Sequence, residues 1–172
     1  MKKSDIKVLP EYFDLYINEV DDMDLSDAFK QGGIGSLDKD TLKKIGDKIY
    51  AQGKWTIKDI LQHLIDCERI FNYRALTFAR NDKTELPGFE ENDYARETNA
   101  NKRSLDELIS EFVNVRKSTM DLFAAFDENM LMRMGKCNDR SVSVLALGFV
   151  IAGHELHHAR IIRERYFPLA NT

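Results

Sequence analysis

The segment VSVLALGFVIAG, residues 142–153, constrains the fold of this chain more than any other stretch. When it is drawn as a helix, apolar residues lie on nearly every side, so the helix needs packing partners all around it. The segment is shorter than the roughly 18 apolar residues that a membrane span requires. We therefore predict a deeply buried helix that starts near Ser141 or Ser143 and ends near Tyr166.

Two other helices have clear start signals. Thr56 is followed by Asp59, and Ser104 is followed by Glu107. At this spacing a hydroxyl and an acid satisfy free N–H groups of the first helical turn. Apolar residues recur at helical spacing after both signals, which predicts two long helices.

The remaining segments are weaker or irregular. Helical patterning over 25–45 predicts a first helix, which GGIG at 32–35 should break because glycine costs about 1 kcal/mol in a helix interior. Residues 1–22 are predicted to form an irregular lead-in, and residues 127–140 a turn region. Residues 81–103 are polar and long for a connection inside a small domain, and such loops often cover a site.

Four predicted helices without a strand pattern indicate an all-α protein. We predict a four-helix bundle that forms a single domain over residues 1–172. The connection at 81–103 is long enough to cross the length of the bundle, so helix 2, which starts at Thr56, and helix 3, which starts at Ser104, are predicted to be parallel. Helix 2 is then antiparallel to helix 4, the buried helix that ends near Tyr166.

The composition limits the possible partners and location. The chain has 29 acidic and 25 basic residues and a net charge of −4, which provides no electrostatic reason to expect nucleic acid. No membrane span and no apolar signal segment is predicted, so no membrane partner is expected. Cys67 and Cys137 do not make a disulfide framework, and the expected location is the reducing cytoplasm.

Three of the four histidines lie in GHELHHARII, residues 153–162. His154 and His158 emerge from one apolar stripe a single turn apart, and this spacing lets two neutral imidazoles converge on one cation. His63 lies about two turns into helix 2 and can reach the same level of an antiparallel pair. The spacing permits a shared metal site, but hydrogen-bonded core histidines remain the alternative. His157 points to the rim.

The same stretch spells H-E-x-x-H, the pattern of zinc peptidases. That pattern needs a third ligand, and its best-known extension requires glycine at 161 and histidine at 164, where this chain has Ile161 and Glu164. A helical bundle also lacks the edge strand that holds an extended peptide. A peptidase is therefore disfavoured, and Glu155 is expected to support a ligand or to pack rather than to act as a catalytic base.

Two residues of helix 2 are candidates for supporting roles. Cys67 follows the helix 2 histidine by one turn, and it is either a fourth, soft ligand or a small buried side chain. Glu68 falls within the apolar arc, where a carboxylate needs a partner. That partner is either an arginine, such as Arg116 or Arg165, or the free N–H of a metal-binding histidine.

The segments KWTIKDILQHLIDCERIFNYRAL and VSVLALGFVIAGHELHHARIIRERY, with LPGFEENDYA between them, resemble the DinB-like (damage-inducible, YfiT-related) superfamily over residues 50–166. The resemblance implies a four-helix bundle, a homodimer, and a divalent metal, usually zinc or nickel, held by three histidines. Carried over by position, these ligands are His63, His154 and His158.

Characterised members of that family include transferases of low-molecular-weight thiols and a thiol-dependent isomerase. Three ligands leave a coordination position at which water or a thiol can be activated. The predicted function is therefore a metal-dependent transferase of a small thiol, of the bacillithiol type, to an electrophile, or a related hydrolase. Tyr94 and the 81–103 loop are predicted pocket walls. The alternative is a non-catalytic metal-binding helical dimer, in which Cys67 or Glu155 blocks the open position.

Overall fold

Helices make up most of the computed structural model, which describes residues 1–171. Three of them are long and carry the bundle, and five are short. The eight α-helices of the described residues are α1 (Asp14–Ile17), α2 (Leu25–Ala28), α3 (Lys39–Ile45), α4 (Ile57–Ala79), α5 (Glu91–Glu97), α6 (Leu105–Ala124), α7 (Glu128–Leu131) and α8 (Val144–Ile161). The chain continues after α8 as a π-helical turn, Ile162–Tyr166, and a 3₁₀ turn, Phe167–Asn171.

The long helices begin where the sequence predicts. The Thr56 hydroxyl accepts from the Asp59 N–H at 3.1 Å, and the Asp59 carboxylate accepts from the Thr56 N–H at 3.0 Å. The Ser104 box at the start of α6 has the same reciprocal pair. Ser143, rather than Ser141, caps α8 by accepting from the Ala146 N–H.

Side-chain contacts fix the direction of the helices. Glu68 of α4 bonds to Arg116 of α6, and Asn72, one turn later in α4, bonds to Thr119, one turn later in α6. The two helices are therefore parallel, as predicted, and residues 81–103 connect them. Contacts between α4 and α8 show the opposite relation. The hydroxyl of Tyr166, just after α8, donates to the carbonyl of Trp55, just before α4, and Phe71 in α4 faces His154 in the middle of α8. Helices α4 and α8 are therefore antiparallel.

Helix α8 is the centre of the core. All residues from Val144 to Glu155 are buried, which confirms the prediction from the apolar stretch. Helix α1 crosses α8 at Gly153, where any Cβ would overlap the carbonyl oxygen of Tyr16. This close approach, which only glycine permits, places the Tyr16 side chain beside His154.

The N-terminal segments differ in detail from the prediction. The expected break in the first helix is present, since α2 and α3 are separated by a 3₁₀ turn at Ile34–Ser36. The lead-in is less irregular than predicted, because residues 1–22 contain α1 and a 3₁₀ turn at Lys3–Asp5. No helix within residues 1–171 combines the length and the apolar character needed to cross a bilayer.

A small antiparallel hairpin is the main departure from an all-helical chain. Residues 127–140, predicted as a turn region, contain α7 and strand β1 (Met134–Cys137), and strand β2 (Arg140–Ser143) begins where that region ends. Asn138 and Asp139 connect them with φ angles of 50° and 60°, as a two-residue hairpin turn requires. The hairpin also pairs with the 81–103 loop through a bridge between Leu86 and Cys137. That loop in turn contains α5 and a 3₁₀ turn, Ala100–Lys102, which its polar composition did not predict.

Candidate metal centre

Three histidines from two helices meet inside the bundle. The Nε2 atom of His154 lies 3.1 Å from Nε2 of His63 and 3.1 Å from Nε2 of His158. One ring nitrogen from each of the three lies within 4.8 Å of the others. The antiparallel packing of α4 and α8 produces this meeting, because it brings the first half of α4 level with the last half of α8.

The imidazoles are held neutral by their surroundings. Burial lowers the pKa of His63 to about 4. Burial, together with repulsion from the neighbouring histidines, lowers the pKa of His158 to about 3 and that of His154 well below its ordinary value. Neutral imidazoles present ring lone pairs, which is the form that binds metal.

The geometry fits a divalent ion. Two ligand nitrogens at 2.0–2.1 Å from a tetrahedral ion are about 3.4 Å apart, close to the separations observed here. With Nε2 turned to an ion, the proton of each ring would be on Nδ1. His63 Nδ1 has the Cys67 sulfur at 3.5 Å, whereas His158 Nδ1 is buried without a partner among residues 1–171.

Aromatic rings hold the imidazoles in place. The rings of Trp55 and His63 have centres 4.8 Å apart, and Tyr16 meets His154 edge-on at 4.7 Å. Phe71 lies 6.2 Å from His154 on the other side. The sequence reasoning missed Tyr16, since it lies in the segment assigned to an irregular lead-in.

Glu155 belongs to a structural network and not to the cluster of nitrogens. Its Oε1 accepts from the N–H groups of Gly33 and Ile34, both at 2.8 Å, and its Oε2 accepts from Arg116 at 2.6 Å. Gly33 is packed so tightly on Glu155 that a Cβ would lie 3.0 Å from its side chain. The GGIG break thus turns two backbone donors towards a buried carboxylate, and both oxygens of Glu155 are engaged by structural donors.

Glu68 completes the same network. Both of its oxygens accept from Arg116, at 2.8 and 2.9 Å, and Oε1 also accepts from the Thr119 hydroxyl at 2.6 Å. Of the two arginine partners considered from the sequence, Arg116 is the one in contact. Arg116 therefore joins α4, α6 and α8 through two buried ion pairs beside the histidines.

A cavity of about 290 Å³ opens beside the histidines. His63, His154 and Cys67 lie in its wall, and burial raises the pKa of the Cys67 thiol so that it keeps its proton. The 81–103 loop supplies residues 88–91 to the wall of this cavity. Tyr94 does not line this cavity; it stacks against Phe89, with ring centres 4.9 Å apart, and is half exposed.

Arg74 and Arg140 also line the cavity, and the sequence reasoning assigned neither of them a role. A signal for Arg74 was available, because it lies three residues after Phe71 and four before Phe78 on the buried face of α4. Arg140 begins strand β2, so its position could not be found without the hairpin.

We expect the metal-free protein to lose stability as the pH falls from 7 to 5. The pKa of His63 is about 4 in the folded protein and near its ordinary 6.5 in the unfolded chain, so the unfolded chain binds more protons in this range. The free energy of unfolding should fall by roughly 2 kcal/mol from His63 alone. Urea denaturation at both pH values measures this change, and His63→Gln should reduce it. Equal stability of the wild-type protein at both pH values would contradict the prediction.

Comparison with known proteins places the fold and the family. A family model described as the DinB superfamily matches residues 36–162. No curated protein matches the chain significantly. Among solved structures, the chain is similar to YfiT from Bacillus subtilis, described as "a probable metal-dependent hydrolase with an unusual four-helix bundle topology". The TM-score is 0.61 at 16% identity, over 90% of this chain and 85% of that one. This likeness confirms the four-helix bundle, and because the family model matches well over half of the sequence, the chain belongs to the DinB superfamily.

Proposed function

We propose that this protein is a divalent-metal-dependent enzyme, a transferase that joins a small thiol of the bacillithiol type to an electrophile. The observation that carries the proposal is the convergence of ring nitrogens of His63, His154 and His158 within 4.8 Å beside a cavity. Three protein ligands next to open space are typical of catalytic sites, whereas closed structural sites have four. Zinc and nickel both accept imidazole nitrogen, so either ion suits these ligands.

The side chains around the cavity have separate tasks in this proposal. A divalent ion bound by the histidines would lower the pKa of the thiol or water that it binds. Phe13 and Phe71 line the cavity and supply apolar surface for the body of a substrate. Burial raises the pKa of Tyr16, so its hydroxyl keeps its proton and can donate a hydrogen bond to a bound substrate. In the transfer, the sulfur forms a bond to the electrophilic carbon, the bond to the leaving group breaks, and the thiol proton passes to solvent.

A hydrolase is the second candidate, in which water takes the place of the thiol. The description of YfiT as a metal-dependent hydrolase supports this variant. The same three histidines and the same cavity serve both reactions, which differ only in the nucleophile.

A non-catalytic metal-binding dimer would need a side chain in the open position. Glu155 is a poor candidate, because both of its oxygens already accept hydrogen bonds from Gly33, Ile34 and Arg116. Cys67 is nearer to the site, but its sulfur lies closer to Nδ1 of His63, at 3.5 Å, than to Nε2, at 3.7 Å. This position suits a partner of the ring N–H better than a fourth ligand.

Metal analysis and a turnover assay test the proposal together. The purified protein is stripped with a chelator, reloaded with zinc or nickel, and assayed with bacillithiol and 1-chloro-2,4-dinitrobenzene, and separately with 4-nitrophenyl acetate. We expect one ion per chain, conjugate formation that depends on the ion, and unchanged metal content in Cys67→Ser.

The possible failures of this test are distinct. Ester hydrolysis without thiol conjugation would favour the hydrolase. A bound ion with neither activity, and loss of that ion in Cys67→Ser, would favour the non-catalytic dimer. A protein that binds no ion would overturn both enzymatic candidates.

A further inference from the structure

Arg74 is a buried cation without a counter-charge. It is 3% exposed, and its Nη2 donates to the Pro87 carbonyl at 2.9 Å. Its guanidinium carbon lies 5.7 Å from the ring centre of Phe71 and 5.9 Å from that of Phe89. No carboxylate in the described part of the chain forms an ion pair with it. Because a buried charge without an opposite charge is costly, an anion placed here would be strongly favoured.

Arg140 brings a second unpaired cation to the same cavity. Its Nη1 donates to the Asn138 carbonyl at 3.3 Å, and its Nε is buried without a hydrogen-bond partner among residues 1–171. Burial raises the pKa of the nearby Cys137 thiol, and both Arg74 and Arg140 oppose this effect. The two positive charges therefore act on one region of the structure.

Arg74 and Arg140 line the same cavity as His63 and His154. Phe71 lies near both groups, since its ring centre is 6.2 Å from that of His154 and 5.7 Å from the guanidinium carbon of Arg74. Aromatic side chains form much of the wall, namely Tyr12, Phe13, Tyr16, Phe71 and Phe89. Glu90 and Glu91 also line the cavity, but both are exposed, so water and salt screen their charges more than those of the buried arginine.

We propose that Arg74 and Arg140 form a subsite for an anionic group of the electrophilic substrate, a carboxylate or a phosphate. The flat apolar body of that substrate lies along the aromatic wall, and its reactive end faces the three histidines. Guanidinium groups bind carboxylate and phosphate through paired, charge-assisted hydrogen bonds, which gives the subsite its selectivity. This inference rests on the proposed function for the reactive end of the substrate, but the anion subsite can be tested by binding alone.

Calorimetric titration of matched probes tests the subsite in both metal-free and zinc-loaded protein. The probes are 3-phenylpropionate, 2-phenylethyl phosphate, and the neutral 3-phenylpropionamide. We expect at least one of the two anions to bind tenfold or more tightly than the amide, a difference of about 1.4 kcal/mol. The tighter of the two anions identifies the natural anionic group as carboxylate or phosphate.

Substitutions assign that preference to residues. Arg74→Met should abolish the preference for the anion. Arg140→Met should reduce that preference, and it provides a second test that does not depend on the folding of Arg74→Met. Arg80→Met is the control, since exposed Arg80 caps the C-terminus of α4 and lies over a phenylalanine ring, that of Phe126, but does not line the cavity. Arg80→Met should keep the preference.

Three results would overturn the subsite: no saturable anion binding at millimolar concentration, equal binding of anion and amide, or a preference that survives both Arg74→Met and Arg140→Met. These results are separate from failure of the proposed function. A protein that binds the anion through the arginines but shows no metal-dependent turnover would keep the subsite and lose the enzyme.

Discussion

His154→Ala should remove metal binding and turnover together. His154 is the central member of the cluster, since its Nε2 lies 3.1 Å from the Nε2 atoms of both His63 and His158. Without it, the other two imidazoles cannot enclose an ion. Removing a group that only hydrogen-bonds to a metal ligand costs roughly 10–100-fold in metal affinity. Removing the ligand itself should therefore cost at least about a hundredfold. Metal content after dialysis against a weak chelator measures the effect, and circular dichroism shows that the variant folds.

His157→Ala is the matched control for this experiment. His157 is in the same turn of α8 but faces outward, where its Nδ1 lies 3.5 Å from Glu19 and 3.3 Å from Arg160. Removing this imidazole should leave metal content and turnover unchanged. If His154→Ala retained one ion per chain, or if both variants lost the ion equally, the three-histidine centre would be refuted.

Arg116→Met should be the most destabilising substitution near the site. Arg116 neutralises two buried carboxylates, and the side chains of Glu68 and Glu155 are only 3% and 5% exposed. Removing the cation leaves both acids buried without an opposite charge, which typically costs about 3–5 kcal/mol. Chemical denaturation at neutral pH should show a loss of this size in the free energy of unfolding.

A compensating variant and a surface control define the cause. Glu68→Gln and Glu155→Gln, introduced together into Arg116→Met, should restore part of the lost stability because no buried charge then remains unpaired. Lys117→Met removes the neighbouring cation, whose pair with Asp121 is fully solvated, and should leave the denaturation midpoint unchanged. An Arg116→Met protein as stable as Lys117→Met would show that the buried ion pairs contribute nothing.

Most of the helical framework was predictable from local chemistry. The capping boxes at Thr56 and Ser104 act within a single turn, so each start could be found from four neighbouring residues. The helix after Ser143 has apolar side chains on nearly every side, so it had to be buried whichever elements packed against it. It is the most buried helix of the structure. Glycines at 32–35 predicted a break in the first helix, but not that the break would present two N–H groups to Glu155.

The sequence by itself determined the long helices, the burial of α8 and the shared face of His154 and His158, because these depend on residues within a few turns of one another. Only the tertiary structure decided that His63 approaches them, that Glu155 is bound by Gly33, Ile34 and Arg116, and that Arg74 and Arg140 share a cavity. The physical reason is distance along the chain. Such contacts depend on how helices cross and on how a hairpin packs against a loop, and these are set by the packing of the whole core rather than by any local pattern.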